Sequence, residues 1–308
     1  MSYSDYSIET EEMQEILQEN LDKLSERVKF KNDIKNRLAG VLTDKQFEKF
    51  AECGRYLATG HNFRVVGGNF CRNRLCPVCN RRNSAQKWAK MFSIAERAKI
   101  DLKPCFAFLT VTVKNVSSEN LASEISRLMR SIDRLHKRAL FINNVYGFFR
   151  SLEITYNSRS KTFHPHYHYV LALPGSYKEN LISTYEWRTT WEKCARLDYN
   201  SQVDIRLIEE DNLAASVAEV AKYAVKISSV IEQDKPTLKA LQAAIRGRRL
   251  ISFGGVFKEY AKESDREYEK YDMSQGYEVW GYNSNKKQYE RGADHEDRAF
   301  FETWQISE

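Results

Sequence analysis

Two apolar stretches joined by a polar connector constrain the fold of this chain more than any other feature. Val145–Tyr156 and His166–Leu173 are rich in aromatic and β-branched residues, which favour strands. The connector between them, Asn157–Pro165, is polar and short. We therefore expect the two stretches to pair as an antiparallel hairpin.

Apolar patterning also predicts the elements on either side of this hairpin. Cys105–Val113 and Gln202–Ile208 have the composition of strands. Helical segments are predicted at Ser117–Leu140, Leu181–Cys194 and Asn212–Ile227. The resulting order of strand, helix, hairpin, helix, strand and helix predicts an α+β fold, in which a central antiparallel β-sheet carries helices packed on one face.

The second strand of the hairpin carries alternating histidines and tyrosines. Side chains alternate between the faces of a strand, so His166 and His168 point to one side and the tyrosines to the other. Two imidazoles roughly 6–7 Å apart on one face can reach a single divalent ion. If the hairpin pairs, Glu153 comes close to His168 and supplies a carboxylate with apolar neighbours, which needs a partner. The alternative is a pair of surface or hydrogen-bonded imidazoles without a metal.

An Ala/Val-rich segment further along the chain contains Glu219 and Tyr223. Residues four apart share one face of a helix, so these two side chains are expected side by side. A tyrosine hydroxyl can attack a phosphodiester when a metal polarises the phosphoryl oxygen, and a neighbouring glutamate can activate water as a general base. Lys222 and Lys226 can flank the phosphate. The alternative is an ordinary amphipathic helix with a tyrosine at its edge.

Four of the six cysteines fall within a short segment. Cys71, Cys76 and Cys79 have the spacing C-x4-C-x2-C, and Cys53 lies 18 positions before the first of them. This spacing is typical of a zinc site, and four thiolates leave no open position, so the site is expected to be structural. His61 is the competing fourth ligand, and free buried cysteines are the alternative to a metal site.

Positive charge is concentrated rather than spread along the chain. The net charge is +6 and the isoelectric point about 8.8. Clustered arginines are expected of a protein that binds the phosphate backbone, although a solvated surface would have the same composition. The candidate DNA-binding residues are Arg72, Arg74, Arg81 and Arg82 beside the cysteines, Lys222 and Lys226 beside Tyr223, and Arg246, Arg248 and Arg249 further on.

Targeting signals are not evident in the sequence. The longest apolar runs, such as Cys105–Val113 and Tyr167–Pro174, are shorter than the roughly 20 residues that cross a bilayer. Met1–Glu19 is polar and acidic, without the apolar core of a secretory signal. We expect a cytoplasmic protein that does not contact membranes.

Taken in order, these motifs resemble the replication initiator (Rep) proteins of rolling-circle plasmids of Gram-positive bacteria, which are HUH endonucleases. Phe108–Val113 resembles the family's first motif, His164–His168 the metal motif, and Glu219–Tyr223 the motif with the catalytic tyrosine. Cys71–Cys79, with Cys53 upstream, resembles the cysteine-rich segment. The middle residue of the metal motif, a tyrosine, is more polar than is usual in the family.

The resemblance implies a fold and an activity. The fold would be the antiparallel HUH endonuclease sheet, which is RRM-like, with a zinc module attached. Mg²⁺ or Mn²⁺ would be held by His166, His168 and Glu153. Tyr223 would nick one strand at a single-stranded or hairpin-extruded site in the plasmid's double-strand origin and become linked to the 5′ phosphate. Glu219 would assist a terminating cleavage.

Host factors and rival functions follow from the same resemblance. The free 3′ hydroxyl would prime host DNA polymerase, with a host helicase as a further partner. The alternatives are a single-tyrosine HUH transposase, which is usually much smaller and has no cysteine module, and a non-enzymatic zinc-dependent DNA-binding regulator. A relaxase is disfavoured because its tyrosine typically precedes the histidine motif.

The motifs suggest a division of the chain into four parts. Residues 1–50 form an N-terminal helical segment, and 51–104 form the four-cysteine zinc module with a basic helix. The endonuclease core is expected at 105–230, followed by a basic accessory region at 231–308. The sequence assigns no role to 1–50 or to 260–308.

Overall fold

The computed structural model describes residues 3–60, 65–178, 181–222, 225, 227–267 and 277–292. The helices are α1 (Tyr3–Leu38), α2 (Asp44–Glu52), α3 (Pro77–Leu102), α4 (Leu121–Leu135), α5 (Ala139–Asn144), α6 (Thr184–Ala195), α7 (Leu213–Ala221), α8 (Lys235–Ile245) and α9 (Val256–Glu267). The strands are β1 (Tyr56–Gly60), β2 (Val65–Gly68), β3 (Cys105–Thr112), β4 (Gly147–Asn157), β5 (Thr162–Leu173), β6 (Val203–Leu207), β7 (Ile251–Gly255), β8 (Tyr277–Asn283) and β9 (Gln288–Arg291).

The chain divides into two compact units, residues 1–81 with 269–308, and residues 82–268. The first unit contains a four-stranded antiparallel sheet in the order β2-β1-β8-β9. Helix α1 buries Leu21, Val28 and Leu38. Helix α2 begins with a capping box, in which the Thr43 hydroxyl accepts from the Gln46 amide and the Gln46 side chain accepts from the Thr43 amide.

The second unit contains a five-stranded antiparallel sheet in the order β6-β3-β5-β4-β7. The predicted hairpin is its centre: β4 and β5 pair along 11 residues, with Gly147 opposite Ala172 and Asn157 opposite Thr162. The predicted α+β class, with a central antiparallel sheet flanked by helices, is therefore confirmed.

Helices cover both faces of this sheet, so the expectation of helices on one face is wrong. On the face that carries His166 and His168, buried residues of α3, α7 and α9 form an apolar cluster with Phe108, Phe149 and Val170. On the other face, the imidazole of His136, at the end of α4, packs against aromatic rings of β4 and β5. The tyrosines that alternate with the histidines explain this second layer, since Tyr167 and Tyr169 are fully buried and need cover.

Several predicted helices differ in length from those observed. The segment predicted as Ser117–Leu140 forms α4 and α5, with a break after Leu135. The segment predicted as Asn212–Ile227 is helical only to Ala221, where Lys222 adopts an extended conformation as the C-cap. Among the residues that the structure describes, no helix has both the length and the apolar character needed to span a bilayer.

Candidate functional site

Three side chains from two adjacent strands converge on one face of the five-stranded sheet. Glu153 of β4 lies directly opposite His166 of β5, and His168 is two residues further along the same face. Nε2 of His168 lies 3.0 Å from Oε2 of Glu153, and Nε2 of His166 lies 3.5 Å from the same oxygen. The two Nε2 atoms are 3.1 Å apart. One ligand atom from each residue therefore faces a common point, as in a two-histidine, one-carboxylate metal site.

The hydrogen bonds around the two imidazoles orient them toward this point. Nδ1 of His166 donates to the carbonyl oxygen of His164 at 3.1 Å. A carbonyl oxygen only accepts, so Nδ1 carries the hydrogen and Nε2 of the neutral ring has a lone pair. Nδ1 of His168 lies 3.0 Å from Oγ1 of Thr110 on β3, which can hold the second ring in the same tautomer. Lone pairs and a carboxylate facing one another fit a cation at their centre.

Burial and charge are consistent with this interpretation. The side chains of His166, His168 and Glu153 are 10%, 13% and 23% exposed. Without an ion, an imidazole N–H can donate to Glu153, and such hydrogen bonds from His166 and His168 hold the pKa of Glu153 well below its usual range. The carboxylate is therefore ionised, and an ion at the centre would replace these hydrogens. Burial lowers the pKa of the neighbouring His164 and favours its neutral form. Neutral imidazoles and an ionised carboxylate are the forms that ligate a metal.

The described residues on either side of the predicted nucleophile are α7 with Lys222, and Val225. Glu219 lies in α7 and forms an ion pair with Lys222. Tyr223 and Lys226 lie outside the described residues. Val225, two residues after Tyr223, forms a parallel bridge with Ile154, the neighbour of Glu153. The chain is thus tied to the strand of Glu153 two residues after the predicted nucleophile.

A pocket of about 560 Å³ lies beside the centre, and sequence reasoning missed it. Its lining includes Phe108 of β3, Arg206 at the end of β6, Glu209, and Asn212 and Glu219 at the two ends of one α7 face. Apart from Phe108, all the lining residues fall within 206–219, and each is an ordinary exposed or strand residue in its own context. The sequence signal for such a pocket is correspondingly weak.

The four predicted zinc ligands meet in the first unit. The Sγ atoms of Cys53 and Cys79 are 3.5 Å apart, those of Cys71 and Cys79 are 3.6 Å apart, and those of Cys53 and Cys76 are 3.5 Å apart. These are the spacings of four thiolates around one tetrahedral ion. The structure thus brings Cys53 to the other three cysteines, whereas the competing His61 lies outside the described residues.

Donors around the sulfur atoms support a charged thiolate cluster. The backbone amide of Cys71 donates to Sγ of Cys53 at 3.3 Å, and that of Arg72 donates to Sγ of Cys79 at 3.2 Å. Lys31 of α1 is buried and donates to the carbonyl oxygens of Ala51 and Cys53 at 2.6 and 2.9 Å. Burial lowers the pKa of Lys31. Sequence patterning did not single out this lysine, because one more lysine in a charged helix carries no signal of burial.

The candidate DNA-binding residues differ in how far their side chains are exposed. Arg72, Arg246 and Arg249 are exposed. Arg74 is partly buried, and burial lowers its pKa. Arg248 is bound to α4, where Nη2 donates to the Ala122 carbonyl oxygen at 3.0 Å and to the Ser126 hydroxyl at 2.8 Å. Its guanidinium therefore has a role inside the fold. Arg81 and Arg82 are partly buried residues of α3, and Lys222 is exposed at the end of α7.

Comparison with known proteins identifies a family model and relatives that are all described as replication proteins. A family model described as "Replication protein" matches residues 62–299. "Protein rep" of Streptococcus pneumoniae serotype 2 is 37% identical over 208 residues, covering 65% of this chain and 65% of its own length. "Protein rep" of Bacillus amyloliquefaciens is 34% identical over 259 residues, covering 75% of this chain and 76% of its own. "Protein rep" of Staphylococcus aureus is 29% identical over 220 residues, covering 69% of this chain and 96% of its own. No solved structure matches the chain.

Proposed function

Because the chain belongs to the replication protein family, we propose that it initiates plasmid replication by nicking one DNA strand at the origin. The observation that carries this proposal is the convergence of His166, His168 and Glu153 on one face of the sheet. A protein that only binds DNA would not need such a centre. A divalent ion, Mg²⁺ or Mn²⁺, held by these three residues would polarise a phosphoryl oxygen of the scissile phosphate.

Tyr223 is proposed as the nucleophile. Its phenolic oxygen attacks the phosphorus atom, the bond from phosphorus to the 3′ oxygen breaks, and the leaving oxygen takes up a proton to become a free 3′ hydroxyl. The 5′ phosphate stays on the tyrosine as an ester, which conserves the energy of the broken bond. The bridge between Val225 and Ile154 supports this role, since it ties the chain near Tyr223 to the strand of Glu153.

Glu219 is proposed to act in a second, terminating cleavage. Its side chain is 38% exposed, so water has access to the carboxylate. As a general base it would take a proton from the attacking water, which then cleaves the DNA without a new tyrosine link. The ion pair with Lys222 keeps a cation beside the carboxylate at the end of α7, where it would meet the phosphate of the substrate.

The remaining parts of the chain would hold the origin DNA. Four thiolates fit one zinc ion, which would keep Arg72 and Arg74 on a fixed loop as contacts to phosphate groups. Lys226, Arg81, Arg82 and the exposed Arg246 and Arg249 are further proposed contacts. The 3′ hydroxyl would then prime host DNA polymerase in the cytoplasm, with a host helicase opening the duplex.

Covalent capture of DNA tests this proposal. A single-stranded oligonucleotide carrying the origin of the plasmid that encodes the chain is incubated with protein and Mn²⁺, and adducts are resolved on a denaturing gel. The wild type should give a protein–DNA band, and Tyr223→Phe should give none. Tyr185→Phe is the matched control, because Tyr185 is 64% exposed and lies on α6, outside the site. A band that persists in Tyr223→Phe would place the nucleophile elsewhere.

Two further variants separate the proposed roles. His168→Ala should lose cleavage and retain oligonucleotide binding, because it removes a ligand and leaves the basic surface intact. Glu219→Ala should form the first adduct and fail to release it. Binding of the origin by the wild type without any cleavage would instead favour a non-enzymatic DNA-binding regulator.

A further inference from the structure

The pocket beside the metal centre has the dimensions of a ligand site. Its volume of about 560 Å³ falls within the range of roughly 300–1,000 Å³ that is usual for small-molecule pockets. Helix α7 buries its apolar face against the sheet and turns a second face, bearing Asn212, Ser216 and Glu219, toward the pocket. The opposite wall is the end of β6, from Arg206 to Glu209.

One aromatic ring separates this pocket from the metal centre. The ring of Phe108 lies 5.4 Å from the imidazole of His168, measured between centroids. The guanidinium carbon of Arg206 lies 5.4 Å from the centroid of the same ring. A group in the pocket is therefore within one nucleotide of a phosphate held at the centre, since a nucleotide step in a single strand spans several ångströms.

The polar groups in the pocket do not suit a phosphate. Glu219 is already ion-paired with Lys222, which leaves the carboxylate of Glu209 beside the guanidinium of Arg206. Among the residues that the structure describes, the side chains of Arg206, Glu209 and Asn212 form no hydrogen bond or ion pair, so their polar atoms are available to a ligand. Carboxylates repel phosphate and accept hydrogen bonds from the N–H groups of base edges, while guanidinium groups donate to base oxygens or stack on bases.

We propose that this pocket receives one unpaired nucleobase next to the scissile phosphate, and that it selects guanine. This inference rests on the proposed nicking function. The Watson–Crick edge of guanine presents two adjacent donors, N1–H and the N2 amino group, and one acceptor, O6. Glu209 accepts from the two donors, and Arg206 donates to O6. The side-chain amide of Asn212 offers both an acceptor and a donor to the part of the base that Glu209 and Arg206 leave free.

Equilibrium binding tests the pocket without requiring cleavage. Affinities are measured by fluorescence anisotropy for a fluorescent single-stranded origin oligonucleotide, in the absence of added divalent ion. Each nucleotide is replaced in turn by an abasic site, and each guanine by inosine, which lacks the N2 amino group. We expect one abasic position to weaken wild-type binding about ten-fold, with inosine at that position also weakening it.

The decisive measurement is the coupling between this base and Glu209. Glu209→Gln should weaken binding of the intact oligonucleotide about ten-fold and add no loss when the base is already absent. Glu119→Gln is the matched control, because Glu119 is an exposed carboxylate before α4 and outside the pocket, so it should leave binding unchanged. If the losses of binding free energy caused by Glu209→Gln and by the abasic site add up at every position, no base contacts Glu209 and the proposed pocket is wrong. If the oligonucleotide with inosine binds as tightly as the one with guanine, the assignment of the guanine Watson–Crick edge to Glu209 is wrong.

Failure of this inference is distinguishable from failure of the proposed function. Lack of coupling together with a normal covalent adduct in Mn²⁺ rejects the pocket and leaves the nicking reaction. Coupling at one base without any adduct rejects the nicking reaction and leaves a base-selective single-strand site.

Discussion

The hydroxyl of Thr110 is expected to control how tightly the metal centre binds its ion. Thr110 lies on β3 directly opposite His168, and its Oγ1 is 3.0 Å from Nδ1 of that ring. If Nε2 of His168 ligates the ion, Nδ1 carries the hydrogen and donates it to Thr110. Thr110→Val keeps the shape of the side chain and removes this acceptor.

The magnitude follows from the burial of the contact. A buried donor left without a partner costs about 1–3 kcal/mol. Thr110 is partly buried, so the lower part of this range applies, about 1–2 kcal/mol, or roughly five- to thirty-fold in affinity. Without metal, the ring of the variant can adopt the other tautomer and avoid this cost. The loss should therefore appear in ion affinity and not in the free energy of unfolding of the metal-free protein.

Electron paramagnetic resonance of free Mn²⁺ gives the affinity directly, without relying on activity. Thr112→Val is the matched control, since Thr112 lies on the same strand opposite His166, and its hydroxyl donates to the Gln202 carbonyl oxygen at 2.8 Å rather than to an imidazole. We expect wild-type affinity in Thr112→Val and five- to thirty-fold weaker binding in Thr110→Val. Equal affinities in the two variants would refute the orientation of His168 by Thr110.

Three further predictions test other parts of the molecule. Cys76→Ser should abolish the zinc that a chromogenic chelator detects after denaturation, whereas Cys105→Ala should retain one zinc per chain. Gly254→Ala should destabilise the second unit by about 1–3 kcal/mol in urea unfolding, because the added Cβ would lie 2.0 Å from the ring of Phe148. Burial lowers the pKa of His136 to about 3, so below pH 6.5 the unfolded chain binds a proton that the folded chain excludes. Stability should therefore fall with decreasing pH more steeply in the wild type, by up to about 1.4 kcal/mol per pH unit, than in His136→Phe.

The convergence of His166, His168 and Glu153 could be predicted from sequence because its geometry is local. Alternation along one strand places His166 and His168 on one face, and a short connector brings Glu153 onto the neighbouring strand. Strand alternation and hairpin pairing both act over few residues, so they leave little freedom in where these side chains lie. The register of the hairpin then decides which carboxylate meets the histidines, and that register follows from the apolar pattern of the two strands.

The end of α7 was harder to place from the sequence. Alanine and valine continue past Ala221, and no glycine or proline marks a stop. The structure ends the helix there because the following chain leaves it to form the bridge from Val225 to Ile154. Tertiary pairing thus overrides local helix propensity beside the predicted nucleophile.

Pairing between distant segments explains the largest omission from the sequence analysis, which is the pair of strands β8 and β9. Strand β8 pairs with β1, with Tyr56 opposite Gly281, and β9 extends the same sheet. More than 200 residues separate these partners, and the tyrosine-rich composition of residues 277–292 gave no indication of which strand they would join. The cover on the second face of the larger sheet was missed for a related reason, since apolar patterning shows that a helix has a buried side but not which surface it meets.

The charges around the metal centre suggest how a single DNA strand would be held in one register. The centre itself would attract a phosphate through its ion, while Glu209 in the adjoining pocket repels phosphate and favours a base edge. Phe108 stands between the two, in contact with His168 on one side and Arg206 on the other. A strand shifted by half a nucleotide step would place a phosphate against the Glu209 carboxylate and a base against the ion, and both exchanges are unfavourable. Electrostatic alternation across one aromatic ring would therefore select the cleaved bond before any chemistry takes place.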